Sequence, residues 1–196
     1  MKRLLGVDVD LVIYPTDKGW WKYLYDKSVV ESDTFPYFDM CTATEPYPYN
    51  LGEYYNHHPE CYDYWRELDY SNLEAHTSCI EKLEHLSEYF DIVFISSIKG
   101  NHTKSKYYKL KQDFPFMKGY MATKEKFLMN NSVVAMIDDR KDILEKFDLE
   151  KRVLYSTPYT QTSECPVNFL IESWDTFSVR AFLEYYYVGS PLEDSE

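Results

Sequence analysis

The sequence predicts an α/β fold: a doubly wound parallel sheet with a small, aromatic-rich cap inserted after the first strand. Short apolar runs typical of buried strands recur along the chain, and segments with helical spacing separate them. Strands that alternate with helices form parallel sheets with helices on both faces. The 196 residues, 44% of them hydrophobic, suit one core domain that carries an insertion.

The first strand is predicted within residues 4–9, and Asp8 and Asp10 stand where it should end. A carboxylate costs several kcal/mol to desolvate unless it is paired or binds a cation. Alternation along a strand would direct both side chains to the same side, where they could share one ion. An isolated Asp-x-Asp is also common as a plain strand end on a solvated loop, so later parts of the chain must decide between the two interpretations.

Residues 15–71 are predicted to form the cap, and residues 1–14 together with 72–196 the core domain. Between Trp20 and Trp65 aromatic residues are dense, apolar periodicity is poor, and four prolines interrupt any long helix. Short helices are predicted near 19–25 and 61–66. Most of these aromatic residues are interpreted as the cap's own small hydrophobic core.

The remaining elements follow in order. Helices are predicted at 72–86, 104–114, 141–147 and about 177–187, and strands at 92–95, 120–123, 132–139 and 152–155. Because the carboxyl ends of parallel strands share one edge of a sheet, the polar residues that follow the strands are expected to meet there. These residues are Asp8, Asp10, Ser96, Ser97, Lys124, Lys126, Asp138 and Asp139.

This set of residue types indicates phosphate chemistry assisted by a metal ion. Carboxylates and waters suit Mg²⁺, which prefers oxygen ligands. Lysine and serine supply donors to phosphate oxygens, which the acids cannot. We therefore expect Mg²⁺ as the cofactor.

Composition excludes several classes of partner. A net charge of -12 argues against a nucleic-acid polymer and against an anionic membrane surface. The sequence has no apolar run of roughly 20 residues and no signal-peptide core, which predicts a cytoplasmic protein. Four widely spaced cysteines favour reduced thiols, with a zinc site at His57, His58 and Cys61 as a minor alternative.

The order of motifs resembles that of the haloacid dehalogenase superfamily. The resemblance rests on Asp8-Val-Asp10-Leu-Val12, the hydroxyl of Ser96, a following lysine, and Ile137-Asp138-Asp139. More narrowly, the chain is similar to the 5′(3′)-deoxyribonucleotidases in the segments 93–97, 123–126, 153–161 and 173–174.

The likeness covers residues 1–14 and 72–187, and the sequence departs from the family pattern at three places. Leu11 replaces a usual glycine, and Ser96 replaces a threonine. The stretch before Asp138 is slightly longer than in the family, which leaves both Lys124 and Lys126 open as the motif lysine.

The resemblance implies hydrolysis of a phosphate monoester through an aspartyl-phosphate. Asp8 would be the nucleophile. Asp10 would protonate the departing alkoxide and then deprotonate the attacking water, while its backbone carbonyl would bind Mg²⁺. Ser96 and Lys126 would hold phosphate oxygens. The acid at this second position favours phosphate esters over dehalogenation, because a departing halide needs no proton.

The resemblance also implies a metal shell and further substrate contacts. Asp138, Asp139 or both would complete the shell that Asp8 and Asp10 begin. Ser97 and Lys124 are further candidate substrate contacts, and Lys106 is a second candidate for contact with phosphate.

A nucleoside monophosphate is the substrate that the narrower resemblance implies. Trp20, Trp21, Tyr64 and Trp65 are candidates for stacking on its base, which is worth roughly 1 to 3 kcal/mol per base. Two alternatives stay open at this point: another small ester such as a sugar phosphate, and a catalytically idle nucleotide-binding module. Association into a homodimer is also left open.

Overall fold

A six-stranded parallel sheet forms the centre of the molecule. The computed structural model describes residues 2–31, 59–97, 102–157, 160 and 166–188. Within these ranges the strands lie in the order β3-β2-β1-β4-β5-β6. They are β1 (Arg3–Val7), β2 (Phe90–Ser96), β3 (Gly119–Ala122), β4 (Val133–Asp138), β5 (Arg152–Tyr155) and β6 (Phe169–Ile171). The strand order reverses between β1 and β4, which places the expected ligand crevice beyond their carboxyl ends.

Helices connect these strands and confirm the predicted doubly wound α/β class. In the described ranges they are α1 (Thr16–Asp26), α2 (Glu60–Glu67), α3 (Cys79–Ser87), α4 (Thr103–Asp113), α5 (Lys141–Leu144) and α6 (Val179–Leu183). A π-helical turn, Glu184–Val188, continues α6. Short 3₁₀ turns lie at Tyr70–Asn72, Lys126–Met129 and Leu149–Lys151.

The structure differs from the predicted elements in three places. The helix expected from 72 begins only at Cys79, because Ser78 before it adopts a left-handed conformation with φ of 61°. The helix expected at 141–147 ends at Leu144 after about one turn. Strand β6 was not predicted, since three apolar residues at a sheet edge carry almost no periodicity.

Apolar side chains cover both faces of the sheet. Ile92 and Phe94 of β2 belong to the larger buried cluster, whereas the next residue, Ile95, packs with Met136 in a second cluster on the other face. Gly6 lets β1 fit between its neighbours, because a Cβ there would lie 2.8 Å from the Met136 sulfur. This close packing fixes the ends of β1, β2 and β4 relative to one another.

Helices α1 and α2 form a separate aromatic cluster. Trp20, Trp21 and Tyr64 are buried there, and the rings of Trp20 and Tyr64 stack with centroids 6.2 Å apart. The described aromatic residues of 15–71 thus pack largely against one another, as the sequence interpretation expects. The division into core and cap stays a prediction.

The expectations about membrane-spanning segments and about the cysteines can be compared with the structure only for the described residues. No helix in the described portion is long and apolar enough to cross a membrane. Cys61 and Cys79 are buried free thiols. His57 and His58 lie outside the described residues, as do the other two cysteines.

Candidate active site

The loop after β1 brings Asp8 beside the end of β4. Val7 pairs with Ile137 in parallel register, and the Asp8 N–H donates a hydrogen bond of 2.8 Å to the Ile137 carbonyl. Asp138 is the last residue of β4, and Asp139 follows it. Because β1 and β4 are neighbours at the point where the strand order reverses, their terminal acids meet in the crevice.

Asp8, Asp138 and Asp139 form a buried acid cluster. One carboxylate oxygen of each lies within 4.8 Å of the others. Both side-chain oxygens of Asp139 are buried, and within the part of the chain that the structure describes neither has a hydrogen-bond partner. Burial, together with the charges of Asp138 and Asp8, raises the pKa of Asp139 well above its usual value. Oxygens that are buried, close together and unpartnered fit a hard divalent cation such as Mg²⁺.

Lys126 bridges two members of the acid cluster. Its ammonium nitrogen lies 2.6 Å from Asp8 Oδ1 and 2.8 Å from Asp138 Oδ2. Burial opposes the charge on Lys126, but Asp138 and Asp8 outweigh this effect and raise its pKa. Burial also raises the pKa of Asp8 to about 6, although Lys126 acts in the opposite direction. Lys126 therefore remains a cation that faces Asp8.

A second group of side chains, the Asp10 cluster, consists of Asp10, Ser96, Lys106 and Tyr70. The Lys106 ammonium donates hydrogen bonds to Asp10 Oδ2 at 2.8 Å and to Ser96 Oγ at 2.7 Å. Ser96 Oγ donates to the same Asp10 oxygen at 3.2 Å. The Tyr70 hydroxyl donates to Asp10 Oδ1. Burial and the neighbouring Asp10 raise the pKa of Tyr70 well above its usual value, so this hydroxyl keeps its proton.

Comparison with known proteins identifies the fold. No family model and no curated protein sequence matches the chain. A haloacid dehalogenase-like hydrolase from Burkholderia xenovorans is similar with a TM-score of 0.57 and 14% identity, over 94% of this chain and 98% of that one. A haloacid dehalogenase-like family hydrolase from Streptococcus pneumoniae is similar with a TM-score of 0.59 and 10% identity, again over 94% of this chain and 98% of that one. The chain has a haloacid dehalogenase-like fold.

A third similar structure was determined with magnesium. The HAD-hydrolase YfnB from Bacillus subtilis, bound to magnesium, gives a TM-score of 0.51 and 12% identity over 89% of this chain and 96% of that one. At these identities the comparisons establish the haloacid dehalogenase-like fold. They do not support the narrower resemblance to 5′(3′)-deoxyribonucleotidases.

Within this haloacid dehalogenase-like fold, the two aspartates of the first motif face different neighbours. Asp8 joins the acid cluster, whereas the Asp10 side chain pairs with Lys106, so the two carboxylates are not grouped around one point as the sequence suggested. The cause is that β1 ends at Val7, so that residues 8–10 lie beyond the strand. The alternation of an extended strand does not continue to Asp10.

The structure also separates the two candidate lysines and the two serines. Lys126 contacts Asp8, whereas Lys124 is exposed. Ser96 is buried in the Asp10 cluster, and Ser97 beside it is half-buried. Of these two pairs, Lys126 and Ser96 are therefore the members that lie within the two clusters of side chains.

Sequence reasoning did not single out Tyr70. Its hydroxyl reaches across 60 positions to Asp10 from a 3₁₀ turn, and no local periodicity marks such a residue. The sequence analysis noticed Lys106 only through the family resemblance. In the structure Lys106 is fully buried, although it lies on a helix with several other lysines. A buried lysine needs a partner charge, but burial itself was not readable from the sequence.

Proposed function

We propose that this protein is a Mg²⁺-dependent phosphatase that hydrolyses small phosphate monoesters through an aspartyl-phosphate. The acid cluster carries the proposal: three buried carboxylates meet at the carboxyl edge of the sheet, and that of Asp139 has no hydrogen-bond partner among the described residues. Such a group is costly unless a cation binds. The haloacid dehalogenase-like fold is consistent with this chemistry.

Asp8, Asp138 and Asp139 would hold Mg²⁺, with the backbone carbonyl of Asp10 as a further ligand. A bound Mg²⁺ supplies positive charge that lets a carboxylate approach a phosphate dianion. Lys126 adds a fixed positive charge beside Asp8. Mg²⁺ and the Lys126 ammonium would both stabilise the negative charge of the transition state.

The reaction proceeds in two steps that use the two aspartates. Asp8 attacks phosphorus, the ester bond breaks, and Asp10 gives a proton to the leaving oxygen. Water then attacks the aspartyl-phosphate, Asp10 takes its proton, and Asp8 is released. Ser96 and Lys106 hold phosphate oxygens during both steps, because their donors already converge on Asp10 Oδ2.

A nucleoside monophosphate is the finer proposal for the substrate. The motif resemblance and the aromatic residues of 15–71 support it, and Trp65 is half-buried beside the Trp20 ring. The acidic composition disfavours a nucleic-acid polymer.

One observation favours a sugar phosphate or a similar small ester as the second candidate. Three of the four aromatic residues considered for base stacking, Trp20, Trp21 and Tyr64, are buried within their own cluster. Rings that are already packed against each other offer little face to a base. A smaller substrate would not need them.

A substrate panel tests the proposal. Purified protein is assayed for phosphate release from deoxynucleoside and ribonucleoside 5′- and 3′-monophosphates, sugar phosphates and p-nitrophenyl phosphate, with Mg²⁺ or with EDTA. We expect release from at least one ester with Mg²⁺ and none with EDTA.

Two results would contradict parts of this proposal. Phosphate release from no ester on the panel would reject the phosphatase. Calorimetry that showed tight binding of intact nucleotide without release would favour a binding module instead.

The aromatic residues can be tested separately on any active ester. Trp65→Ala should raise KM for nucleotides roughly tenfold and leave KM for sugar phosphates unchanged if this ring stacks on the base. Equal KM values for the variant and the wild type on nucleotides would exclude Trp65 from base recognition.

A further inference from the structure

The two oxygens of the Asp10 carboxylate have different surroundings. Oδ2 lies 2.8 Å from the Lys106 ammonium and 3.2 Å from Ser96 Oγ, the two groups proposed above to hold phosphate. Oδ1 accepts a hydrogen bond from the hydroxyl of Tyr70, which is fully buried. Oδ2 therefore faces the protein groups that are proposed to bind the substrate, and Oδ1 faces the protein interior.

The packing around Tyr70 holds its hydroxyl in place. Its ring meets the Tyr14 ring edge to face, with centroids 6.0 Å apart, and the Lys106 ammonium lies 4.6 Å from its ring centre. The Asp69 side chain accepts a hydrogen bond of 3.0 Å from the Ser71 N–H and stabilises the turn that carries Tyr70. A buried ring with contacts on several sides loses little further entropy when its hydroxyl makes a bond.

We propose that Tyr70 is a positioning residue that binds Asp10 Oδ1 and thereby keeps Oδ2 as the oxygen that exchanges protons with the substrate. The inference rests on the proposed phosphatase activity. It assigns to a residue outside the sequence motifs a part in the protonation of the leaving group.

Each of the two steps forms one bond to phosphorus, breaks another and moves one proton. Asp10 enters the first step protonated on Oδ2, with the proton that it took from water at the end of the preceding turnover. As the bond from Asp8 to phosphorus forms, the ester bond breaks and its electron pair stays on the leaving oxygen, which takes this proton from Asp10 Oδ2. In the second step the oxygen of water bonds to phosphorus, and its proton passes to Oδ2. The bond between Asp8 and phosphorus breaks, and its electron pair returns to Asp8. Tyr70 donates to Oδ1 throughout and exchanges no proton.

This assignment makes the effect of Tyr70 depend on the leaving group. An alkoxide leaves only with a proton, so its departure needs a correctly oriented Asp10. A nitrophenolate leaves without one. Because kcat/KM covers the steps up to departure of the leaving group, it separates this contribution from the later hydrolysis of the aspartyl-phosphate.

The test compares Tyr70→Phe with Tyr14→Phe on two substrates at one pH. Tyr14 is an equally buried tyrosine whose hydroxyl donates a hydrogen bond of 2.9 Å to the Asp113 carboxylate. Tyr14→Phe keeps the ring that packs against Tyr70 and removes only this hydrogen bond, which does not involve Asp10. The substrates are the best alkyl ester from the panel and p-nitrophenyl phosphate. Melting curves establish that both variants fold.

Tyr70→Phe should lower kcat/KM for the alkyl ester roughly 10- to 100-fold, which is the range for a hydrogen bond to a charged group. It should lower kcat/KM for p-nitrophenyl phosphate less than about threefold. Tyr14→Phe should lower both values less than about threefold. A merely structural loss would reduce both substrates alike.

Suppose that the wild type is active and that Tyr70→Phe lowers kcat/KM equally for both substrates, or does not lower it for the alkyl ester. Either result would overturn this inference and leave the proposed function standing. A wild type that hydrolyses neither ester would overturn the proposed function and the inference with it. If Tyr70→Phe does not fold, 4-aminophenylalanine at position 70 keeps the ring and a weaker donor. The ratio of the alkyl to the nitrophenyl kcat/KM should then fall roughly threefold, and an unchanged ratio would reject the assignment.

Discussion

Two aspartates of one tripeptide have opposite electrostatic surroundings. In the acid cluster the three carboxylates of Asp8, Asp138 and Asp139 lie together with one ammonium, that of Lys126, which contacts Asp8 and Asp138. In the Asp10 cluster one carboxylate faces the Lys106 ammonium and two hydroxyl donors. The acid cluster thus has three carboxylates for one ammonium, whereas the Asp10 cluster has one carboxylate for one ammonium. Burial next to unequal charge thus assigns different chemistry to neighbouring residues.

The largest expected effect separates the nucleophile from the acid. Asp8→Asn should lower kcat/KM more than roughly 1000-fold for alkyl and nitrophenyl phosphates alike, because the nucleophile is lost for both. Asp10→Asn should lower kcat/KM by a comparable factor only for the alkyl ester, since nitrophenolate departs unprotonated. Steady-state assays with Mg²⁺ measure both. Equal losses for Asp10→Asn on the two esters would show that the two aspartates do not divide the chemistry in this way.

The next comparison concerns the two buried lysines. Lys126→Met should lower the free energy of unfolding by about 3 to 5 kcal/mol in EDTA, because it leaves buried carboxylates uncompensated. Lys106→Met should lower it by about 1 to 3 kcal/mol, since the Asp10 side chain is 14% exposed and keeps its hydroxyl donors.

Exposed Lys124 provides the matched control for these variants. Lys124→Met should change the free energy of unfolding by less than about 0.5 kcal/mol. Urea denaturation measures all three. A larger loss for Lys106→Met than for Lys126→Met would reverse the electrostatic ranking of the two clusters.

These clusters also show what the sequence could predict. Asp8, Ser96 and Asp138 were predictable because each lies at or directly after the carboxyl end of a strand with a buried apolar run. Lys126 follows β3, a short and only partly buried strand, and was one of two candidate lysines. The parallel sheet followed from the same strands. The orientation of Asp10 was not predictable, since the apolar run in the sequence continues to Val9 whereas β1 ends at Val7.

Tyr70 and β6 show a second limit of sequence reasoning. The contact from Tyr70 to Asp10 is set by packing between residues far apart in the chain, and no local signal encodes it. Strand β6 exists because β5 offers it an edge to pair with, which a three-residue run cannot reveal. Tertiary contacts decided both features.

A smaller effect is expected from pH on the metal-free protein. Burial raises the pKa of Asp8 to about 6 in the folded chain, above the ordinary value of 3.8. The folded state therefore binds this proton more tightly than the unfolded state, so stability falls as pH rises between these values. Between about pH 4.5 and pH 7 the loss from Asp8 should be on the order of 1 to 3 kcal/mol.

The Asp8→Asn variant separates this contribution from groups that do not interact with Asp8. Because the charge of Asp8 also raises the pKa of Asp139, the difference includes this effect, which has the same sign. Burial lowers the pKa of His76, which favours folding at higher pH and opposes the trend from Asp8. Because His76 is present in both proteins, the difference between wild type and Asp8→Asn cancels it. Denaturation in EDTA across this pH range measures that difference. A wild type that gains stability relative to the variant as pH rises would contradict the sign.

Asp139→Asn should produce two changes of opposite sign. Without metal it should stabilise the protein by roughly 1 to 2 kcal/mol at neutral pH, because a buried carboxylate without a hydrogen-bond partner becomes a neutral amide. With metal it should weaken Mg²⁺ binding about tenfold or more, since a ligand or its support is lost. Calorimetric Mg²⁺ titration and urea denaturation in EDTA measure the two effects.

Asp142→Asn gives the matched control for Asp139. Asp142 lies three residues further on, its side chain is 61% exposed, and it pairs with Arg140. Asp142→Asn should leave the Mg²⁺ affinity unchanged and alter the free energy of unfolding by less than about 0.5 kcal/mol. If Asp139→Asn destabilised the metal-free protein, its carboxylate would have a favourable partner there. The acid cluster would then be balanced like the Asp10 cluster and would have no electrostatic need for a cation.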